Sequence, residues 1–242
     1  MEHFDTVLIG SGYSSVGFAV ARQRCLIVEE QEMADTHFYL PLRSYRYHPY
    51  TPKTREGERL ARCFELLSLF GGAAQNTNGF ECALCRFLEE TPVPLLLKTR
   101  VVRREDLMGD TVLTLSTNGG LMRVSCRRVI DTRSAGHGGY LSVLILAESE
   151  EDARTASKAL GWPMERAYYE GQYHLRAPIT EDENAAKCHV HEALAGARGV
   201  RLLSIAPVFA REGGGLILSD DDHLNPIAAF EAGYRLGKEV AR

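Results

Sequence analysis

A glycine turn near the N-terminus, Gly10-Ser11-Gly12, constrains the fold of this chain more than any other sequence feature. It follows an apolar segment (residues 4–9) that is typical of a buried strand, and a short helical segment of small residues comes after it. A second apolar segment (residues 25–28) ends in the acids Glu29 and Glu30. This order of strand, glycine turn, helix, strand and acid is typical of a dinucleotide-binding βαβ unit, in which the acid accepts a hydrogen bond from a ribose hydroxyl. The alternative is a βαβ unit whose turn serves packing alone.

Each part of the turn has a physical role in holding a pyrophosphate. Gly10 allows the chain to turn sharply, and Gly12 lacks a Cβ, so a phosphate can approach the backbone. The amides that open the helix, around Ser14 and Ser15, face the phosphates, and the helix dipole favours their negative charge. Ser15 stands where a third glycine is usual, and its hydroxyl is a candidate phosphate contact. The helix is also about one turn, roughly four residues, shorter than is usual.

The composition of the chain favours a protein that works in a reducing compartment on a small molecule. The 242 residues carry a net charge of −4, with 28 basic and 32 acidic residues, so we expect no nucleic-acid partner. No apolar run approaches the roughly 20 residues that span a bilayer, so we expect no membrane partner. The N-terminus enters a strand directly, without a signal-peptide pattern. The six cysteines are scattered, which predicts free thiols and a cytoplasmic location.

The remaining hydrophobic patterns predict an α/β chain in two parts. The predicted helices are segments 57–70, 79–90, 150–160 and 181–195. The predicted strands are segments 95–102, 110–116, 121–126, 127–136, 140–147, 166–178, 199–209 and 215–219. We expect residues 141–204 to form a small α+β insert with two helices on one face. The discontinuous remainder, 1–140 plus 205–242, then forms the nucleotide-binding domain.

The C-terminal segment has the pattern of a strand, an acid and a helix. Asp220 follows the apolar segment 215–219, Asn225 suits a helix N-cap, and Pro226 suits the first helical position. One face of the predicted helix carries small residues, including Gly233 and Gly237, which allow another backbone to approach closely.

Together these segments resemble the FAD-dependent oxidoreductases with the glutathione-reductase-type flavin fold, the two-dinucleotide-binding-domain family. The resemblance covers about 1–30, 79–136 and 213–242. It implies a Rossmann-like FAD-binding domain of the ββα kind, with FAD as the cofactor and the glycine turn at its ADP half. The contacts that it further implies are Val101 and Val102 at the adenine, Asp220 at the ribityl or pyrophosphate group, and Asn225, Pro226 and Ile227 at the flavin ring. Thr132 corresponds to the threonine of the family's Thr-Gly pair at the end of a strand, with Arg133 where glycine is usual.

An aromatic and arginine-rich stretch, residues 33–55, lacks a helical or strand period. Pro41, Pro49 and Pro52 argue against a continuous helix. A loop of this length within a compact domain is usually functional, so Arg43 is a candidate contact for a phosphate or a substrate carboxylate. The alternative is a surface loop whose tyrosines pack against the domain.

Two histidines are candidate catalytic residues. His223 lies beside the predicted flavin helix, where a proton donor or acceptor is useful, although a loop histidine can also serve capping or packing. His174 and Arg176 share one face of an alternating strand, and Tyr173 lies on the other face. We expect His174 and Arg176 either to contact the substrate or to serve packing alone.

Two cysteine motifs favour structure over chemistry. Cys82 and Cys85 form a Cys-x-x-Cys pair within an apolar helical pattern, so we expect helix packing rather than a redox disulfide. Cys188, His189 and His191 lie within one helix and have no second ligand group at metal-site spacing, so no metal site is predicted.

The resemblance implies an FAD-dependent oxidoreductase, and we expect it to act on a small metabolite by hydride transfer to or from the flavin. No second glycine fingerprint follows a strand, so no separate NAD(P)H domain is expected. The alternative is an FAD-carrying subunit whose partner chain completes the substrate site, because the insert is small for a substrate domain. A partner subunit or a homo-oligomer is therefore a candidate assembly.

Overall fold

The computed structural model describes residues 1–22, 24–34, 49–71, 74–75, 79–91, 93–107, 109–132, 139–179, 182–209 and 225–239. Its helices are α1 (Tyr13–Ala21), α2 (Arg55–Leu66), α3 (Phe80–Glu89), α4 (Glu150–Leu160), α5 (Glu183–Ala195) and α6 (Pro226–Glu239). Its strands are β1 (Glu2–Ile9), β2 (Cys25–Val28), β3 (Phe70–Gly71), β4 (Ala74–Gln75), β5 (Leu95–Leu96), β6 (Arg100–Leu107), β7 (Asp110–Thr117), β8 (Gly120–Asp131), β9 (Gly139–Ala147), β10 (Met164–Arg166), β11 (Gln172–Pro178) and β12 (Val200–Phe209).

The first sheet has six strands in the order β5-β2-β1-β8-β7-β6. Strands β5, β2, β1 and β8 are parallel, whereas β6, β7 and β8 form an antiparallel meander. The long strand β8 belongs to both parts, because its first half pairs with β7 and its second half with β1. This parallel arrangement around β1 is the Rossmann-like α/β order that the sequence predicts.

Apolar side chains on both faces of the parallel strands give three layers. Leu8, Ile27 and Ile130 pack in one core with helices α1, α2, α3 and α6. Leu26 and Val28 pack in another core with meander residues such as Leu113, Leu115 and Val124. The parallel strands therefore lie between a helical layer and the meander. The glycine turn follows the carboxyl end of β1 and leads into α1 of the helical layer.

The second sheet is antiparallel, in the order β10-β11-β9-β12. Helices α4 and α5 cover one of its faces through a core that includes Val143, Ile145, Tyr173 and Leu175. The strands of this sheet span Gly139–Phe209, which contains the predicted insert, residues 141–204. The division of the chain into two domains stays a prediction.

Two predicted strands are wrong because each is interrupted by a turn. Segment 95–102 divides into β5 and β6 at Lys98, which has φ 49° and donates its amide to the Gln31 carbonyl across the end of β2. Segment 166–178 divides into β10 and β11, with Gly171 at φ 74° in the turn between them. In both segments polar residues or glycine stand at the turn, Lys98-Thr99-Arg100 and Glu170-Gly171-Gln172, and the prediction placed them within one strand.

The predicted helices agree with the structure, with differences at their ends. Helix α2 begins at Arg55 because the Thr54 hydroxyl accepts a hydrogen bond from the Gly57 amide, and it ends at Leu66 rather than at Phe70. The predicted strand 215–219 lies outside the described residues. Among the helices that are described, none is both long and apolar enough to cross a membrane.

Candidate functional site

The glycine turn connects β1 to α1 as the sequence predicts. Gly10 has φ 109°, a conformation that L side chains rarely adopt. Gly12 is the N-cap residue of α1, and it has no side chain with which to cap the first turn. No acidic residue lies in that first turn. The positive end of this helix dipole is therefore not neutralised by a carboxylate of its own first turn.

Glu29 lies against the glycine turn, at the place where the predicted ribose acid belongs. Its side chain is buried, with Oε2 accepting hydrogen bonds from the Ser11 amide at 3.0 Å and the Ser11 hydroxyl at 2.8 Å. Its Oε1 accepts from the Gln31 amide at 3.0 Å. A carboxylate oxygen can accept at least two hydrogen bonds, so Oε1 has capacity for a further donor. Glu30 is exposed, and Arg100 Nε lies 4.0 Å from its carboxylate.

Ser15 has a role that the sequence did not predict. Its side chain is fully buried, and its hydroxyl donates to Thr132 Oγ1 at 3.0 Å. The Thr132 hydroxyl in turn donates to the Ile9 carbonyl at 2.9 Å. The Ser15 hydroxyl thus has a partner within the protein, and its contact with a phosphate stays a prediction. The two hydroxyls join the start of α1 to the end of β8.

Helix α6 begins with the cap that the sequence predicts. Asn225 is buried, and its Oδ1 accepts hydrogen bonds from the Ile227 amide at 2.8 Å and the Ala228 amide at 3.4 Å. Pro226 occupies the first helical position, where a missing amide proton costs nothing.

Glycines allow α1 and α6 to pack in backbone contact. A Cβ on Gly233 would lie 1.9 Å from the Ser14 carbonyl oxygen, and a Cβ on Gly17 would lie 1.9 Å from the Phe230 carbonyl oxygen. Further along, a Cβ on Gly237 would lie 2.8 Å from the Phe18 carbonyl oxygen. Gly237, toward the C-terminus of α6, meets Phe18 and Ala21 toward the C-terminus of α1, whereas Phe230 and Gly233 meet residues nearer the start of α1, so the two helices run in the same general direction. Their N-termini therefore lie on the same side of the molecule.

A buried carboxylate on α6, Glu231, is a feature that the sequence analysis missed. Its Oε1 accepts hydrogen bonds from the Lys53 amide, the Thr54 amide and the Thr54 hydroxyl, at 2.7, 2.7 and 2.8 Å. Its Oε2 accepts from the Tyr50 hydroxyl at 2.7 Å. Burial and the nearby Glu231 carboxylate raise the pKa of Tyr50 to about 12. In the sequence this residue is only an acid within the predicted C-terminal helix, and no local pattern indicates which residues it would contact.

His174 is a buried histidine on the second sheet. It lies on the face opposite α4 and α5, with Nδ1 3.3 Å from the Ser142 hydroxyl. Burial and the nearby Arg176 guanidinium lower the pKa of His174 to about 4, so the imidazole is neutral at pH 7. Arg176 forms an ion pair with Glu165. Tyr173 packs in the helix-covered core, so the predicted division of faces is confirmed.

The predicted adenine contacts, Val101 and Val102, lie near the start of the edge strand β6. Val101 packs beside the meander core, whereas Val102 is 52% exposed. The preceding Thr99 amide donates to the Glu29 carbonyl, so the chain passes the end of β2 just before these residues. Three further predicted site residues, Arg43, Asp220 and His223, lie outside the described residues.

The two cysteine motifs carry no assembled site in the described residues. Cys82 and Cys85 are both exposed, because the buried face of α3 is formed by Phe80, Ala83, Leu84 and Phe87. The expectation that the pair packs in the helix interface is therefore wrong. Among the described residues, no three His, Cys, Asp or Glu side chains are grouped as metal ligands would be.

Comparison with solved structures finds a similar fold in proteins of low sequence identity. Aklavinone-11 hydroxylase, in a ternary complex with FAD and aklavinone, has a TM-score of 0.60 and 11% identity over 100% of this chain and 62% of its own. p-Nitrophenol 4-monooxygenase from Pseudomonas putida DLL-E4 has a TM-score of 0.53 and 12% identity, over 86% of this chain and 68% of its own. A flavoprotein/dehydrogenase from Cytophaga hutchinsonii has a TM-score of 0.52 and 12% identity, over 98% and 77%.

These similarities establish the fold. The chain spans less than two thirds of the length of the aklavinone-11 hydroxylase chain. No protein-family model matches the sequence, and no curated protein matches it.

Proposed function

We propose that this chain binds FAD and is an FAD-dependent oxidoreductase acting on a small organic metabolite. The observation that carries the proposal is the placement of two helix N-termini on the same side of the molecule, one at the glycine turn and one at Asn225. The similar folds of an FAD-bound hydroxylase and of a flavoprotein/dehydrogenase support it. The finer assignment to the glutathione-reductase type rests on the sequence resemblance.

The first N-terminus fits the pyrophosphate of FAD. Gly12 leaves open the space that a Cβ would fill, and no acid in the first turn of α1 repels an anion. Glu29 Oε1 accepts one ribose hydroxyl in addition to the Gln31 amide. Val101 and Val102 contact the adenine in this arrangement, because the chain that leads to them passes the end of β2.

The second N-terminus fits the flavin ring. Pro226 precedes Gly233, which touches the first turn of α1, by seven residues or roughly 10 Å of helix. The start of α6 therefore extends past the glycine turn, as the ribityl chain of FAD requires. The amides that follow Asn225 and the helix dipole stabilise negative charge at this end. FAD, when bound, supplies two-electron redox chemistry.

His174 and Arg176 are proposed to face the substrate. A neutral, buried imidazole can donate or accept a hydrogen bond without bringing a charge into the pocket. Ser142 fixes one of its ring nitrogens, so the other is the nitrogen available to a substrate. Arg43 and His223 are proposed as a carboxylate contact and a proton-transfer residue on the strength of the sequence.

Hydride transfer between substrate and flavin is the proposed reaction. Two of the similar folds belong to a hydroxylase and a monooxygenase, so incorporation of oxygen into the product is the competing outcome. An FAD-carrying subunit is the second candidate function, because the second sheet and its two helices, within Gly139–Phe209, are small for a substrate domain. Its partner would complete the substrate site.

The experiment is the absorbance spectrum of the purified chain, followed by the mass of the released cofactor. We expect a flavin spectrum and the mass of FAD. A chain that remains colourless after incubation with FAD refutes both candidate functions. Turnover of a metabolite panel under ¹⁸O₂, with and without NADPH, separates hydride transfer from oxygen insertion, and copurification of a second chain identifies the subunit.

A matched pair of glycine variants tests the site itself. Gly12→Val places a side chain where the pyrophosphate approaches, while its φ of −62° suits any residue. Gly196→Val is the control, since a Cβ there meets nothing within 4 Å. We expect Gly12→Val to weaken FAD binding by at least about tenfold, equivalent to about 1.4 kcal/mol, and the control to bind normally.

A further inference from the structure

Glu231 combines burial with an unusually complete set of donors. The residue is 6% exposed, yet its carboxylate accepts four hydrogen bonds from three residues of one segment: from the Tyr50 hydroxyl, the Lys53 amide, and the amide and hydroxyl of Thr54. A buried carboxylate is stable only when donors replace its hydration, and these four supply that replacement. The contact therefore joins α6 firmly to the segment that leads into α2.

The position of this carboxylate at the start of α2 adds electrostatic stabilisation. Thr54 is the N-cap residue of α2, and Glu231 Oε1 contacts both its amide and its hydroxyl. The positive end of the α2 dipole favours a negative charge there. Gly57 leaves room for it, because a Cβ at this position would lie 2.2 Å from Oε1.

Helix α6 is thus held on two sides. Gly17 and Gly233 hold its backbone against α1, in a flat contact between small residues. The directional hydrogen bonds of Glu231 add a further constraint on the position of α6 along its axis, because each requires a defined donor position.

We propose that Glu231 is a positioning residue that sets where the N-terminus of α6 stands relative to the flavin ring. Asn225 precedes it by six residues on the same helix, roughly 9 Å, so a shift at Glu231 moves the cap by the same amount. This inference rests on the proposed binding of FAD. It assigns to Glu231 an effect on the flavin that acts through α6, without contact between the two.

The first test compares Glu231→Ala with Glu231→Gln. The alanine variant removes all four hydrogen bonds, and we expect its Kd for FAD to rise at least about tenfold, with a more negative flavin reduction potential. The glutamine variant keeps the shape and one acceptor oxygen, and we expect it to restore most of the affinity. Asp182→Ala is the matched control. Asp182 is also a capping carboxylate, which accepts hydrogen bonds from the Asn184 and Ala185 amides, but it caps α5, which packs on the second sheet.

The second test uses Gly57→Ala, which displaces the carboxylate without removing it. The overlap lowers thermal stability in either case, so a purely structural role of this region predicts a less stable protein whose folded fraction binds FAD with unchanged affinity. We expect weaker FAD binding and a shifted potential instead, because the new Cβ overlaps Glu231 Oε1. This variant also serves if Glu231→Ala does not fold.

The outcomes separate the inference from the proposed function. A wild-type chain that binds no FAD refutes the proposed function, and the inference with it. A wild-type chain that binds FAD, together with Glu231→Ala and Gly57→Ala variants of unchanged Kd and potential, refutes the inference alone. A raised Kd for FAD and a shifted flavin reduction potential in both variants, with neither change in Asp182→Ala, support the inference.

Discussion

The buried imidazole of His174 predicts a measurable loss of stability in mild acid. Its pKa is about 4 in the folded chain against 6.5 as the ordinary value, because burial and Arg176 oppose its protonation. Below pH 6.5 the unfolded chain therefore binds a proton that the folded chain does not. The stability contributed by the neutral imidazole is complete above the unfolded pKa and is lost as the pH falls toward the folded pKa.

The magnitude follows from the two pKa values. The full shift corresponds to about 3 kcal/mol, since one pKa unit is worth about 1.4 kcal/mol. At pH 5 the folded chain is still almost unprotonated at His174, whereas the unfolded chain is nearly fully protonated. The free energy of unfolding should therefore fall by about 2 kcal/mol between pH 7 and pH 5 through this group alone.

The assay is urea unfolding at pH 7 and pH 5 for the wild type and for His174→Gln. The variant lacks the titrating group, so its loss of stability between the two pH values should be smaller by about 2 kcal/mol. His191→Gln is the control, because His191 is exposed on α5 and should leave the difference unchanged. An identical pH dependence in the wild type and His174→Gln would refute the reasoning.

Three further predictions concern the helical layer. Gly233→Ala forces a Cβ to within 1.9 Å of the Ser14 carbonyl oxygen, so the free energy of unfolding in urea should fall by about 1–3 kcal/mol, and an unchanged midpoint would contradict the close packing. Ser15→Ala removes the buried hydrogen bond to Thr132 and should cost about 1 kcal/mol in the same assay, whereas no loss would show that the bond is not formed. The pKa of Tyr50 is raised from 10 to about 12, which adds stability that is present below pH 10 and is lost as the pH rises toward 12. Tyr50→Phe should therefore lose less thermal stability than the wild type between pH 10 and pH 12, and equal pH profiles of the melting temperature would refute this prediction.

Local sequence signals predicted the elements whose ends are set by neighbouring residues. Helix α4 has the predicted bounds because Ser149 caps its first turn, and Gly161 ends it at φ 69°. The Asn225 cap of α6 and the Gly10 turn are confirmed for the same reason. In each case the residue type that the geometry requires lies within a few positions of the feature.

The features that sequence did not predict depend on contacts between distant segments. Glu231 finds its donors at Tyr50, Lys53 and Thr54, and no local pattern connects an acid on one helix to the start of another. Ser15 likewise finds Thr132 only when β8 lies beside β1. These partners are set by the packing of the layers, which hydrophobic periodicity does not specify.

The glycine contact between α1 and α6 has a consequence for how the chain is made. Gly17 and Gly233 come from opposite ends of the described chain, so the helical layer on α1 is not complete until α6 has been synthesised, although every strand of the first sheet lies within residues 2–131. The second sheet draws all its strands and both of its helices from Gly139–Phe209, so its contacts are between segments that are closer together in the chain than β1 and β8 are. Because loop closure slows distant contacts, we expect amide protection to appear first in β9 and β11 and last in β1 during refolding. Pulse-labelling hydrogen exchange measures this order directly, and simultaneous protection of both sheets would contradict it.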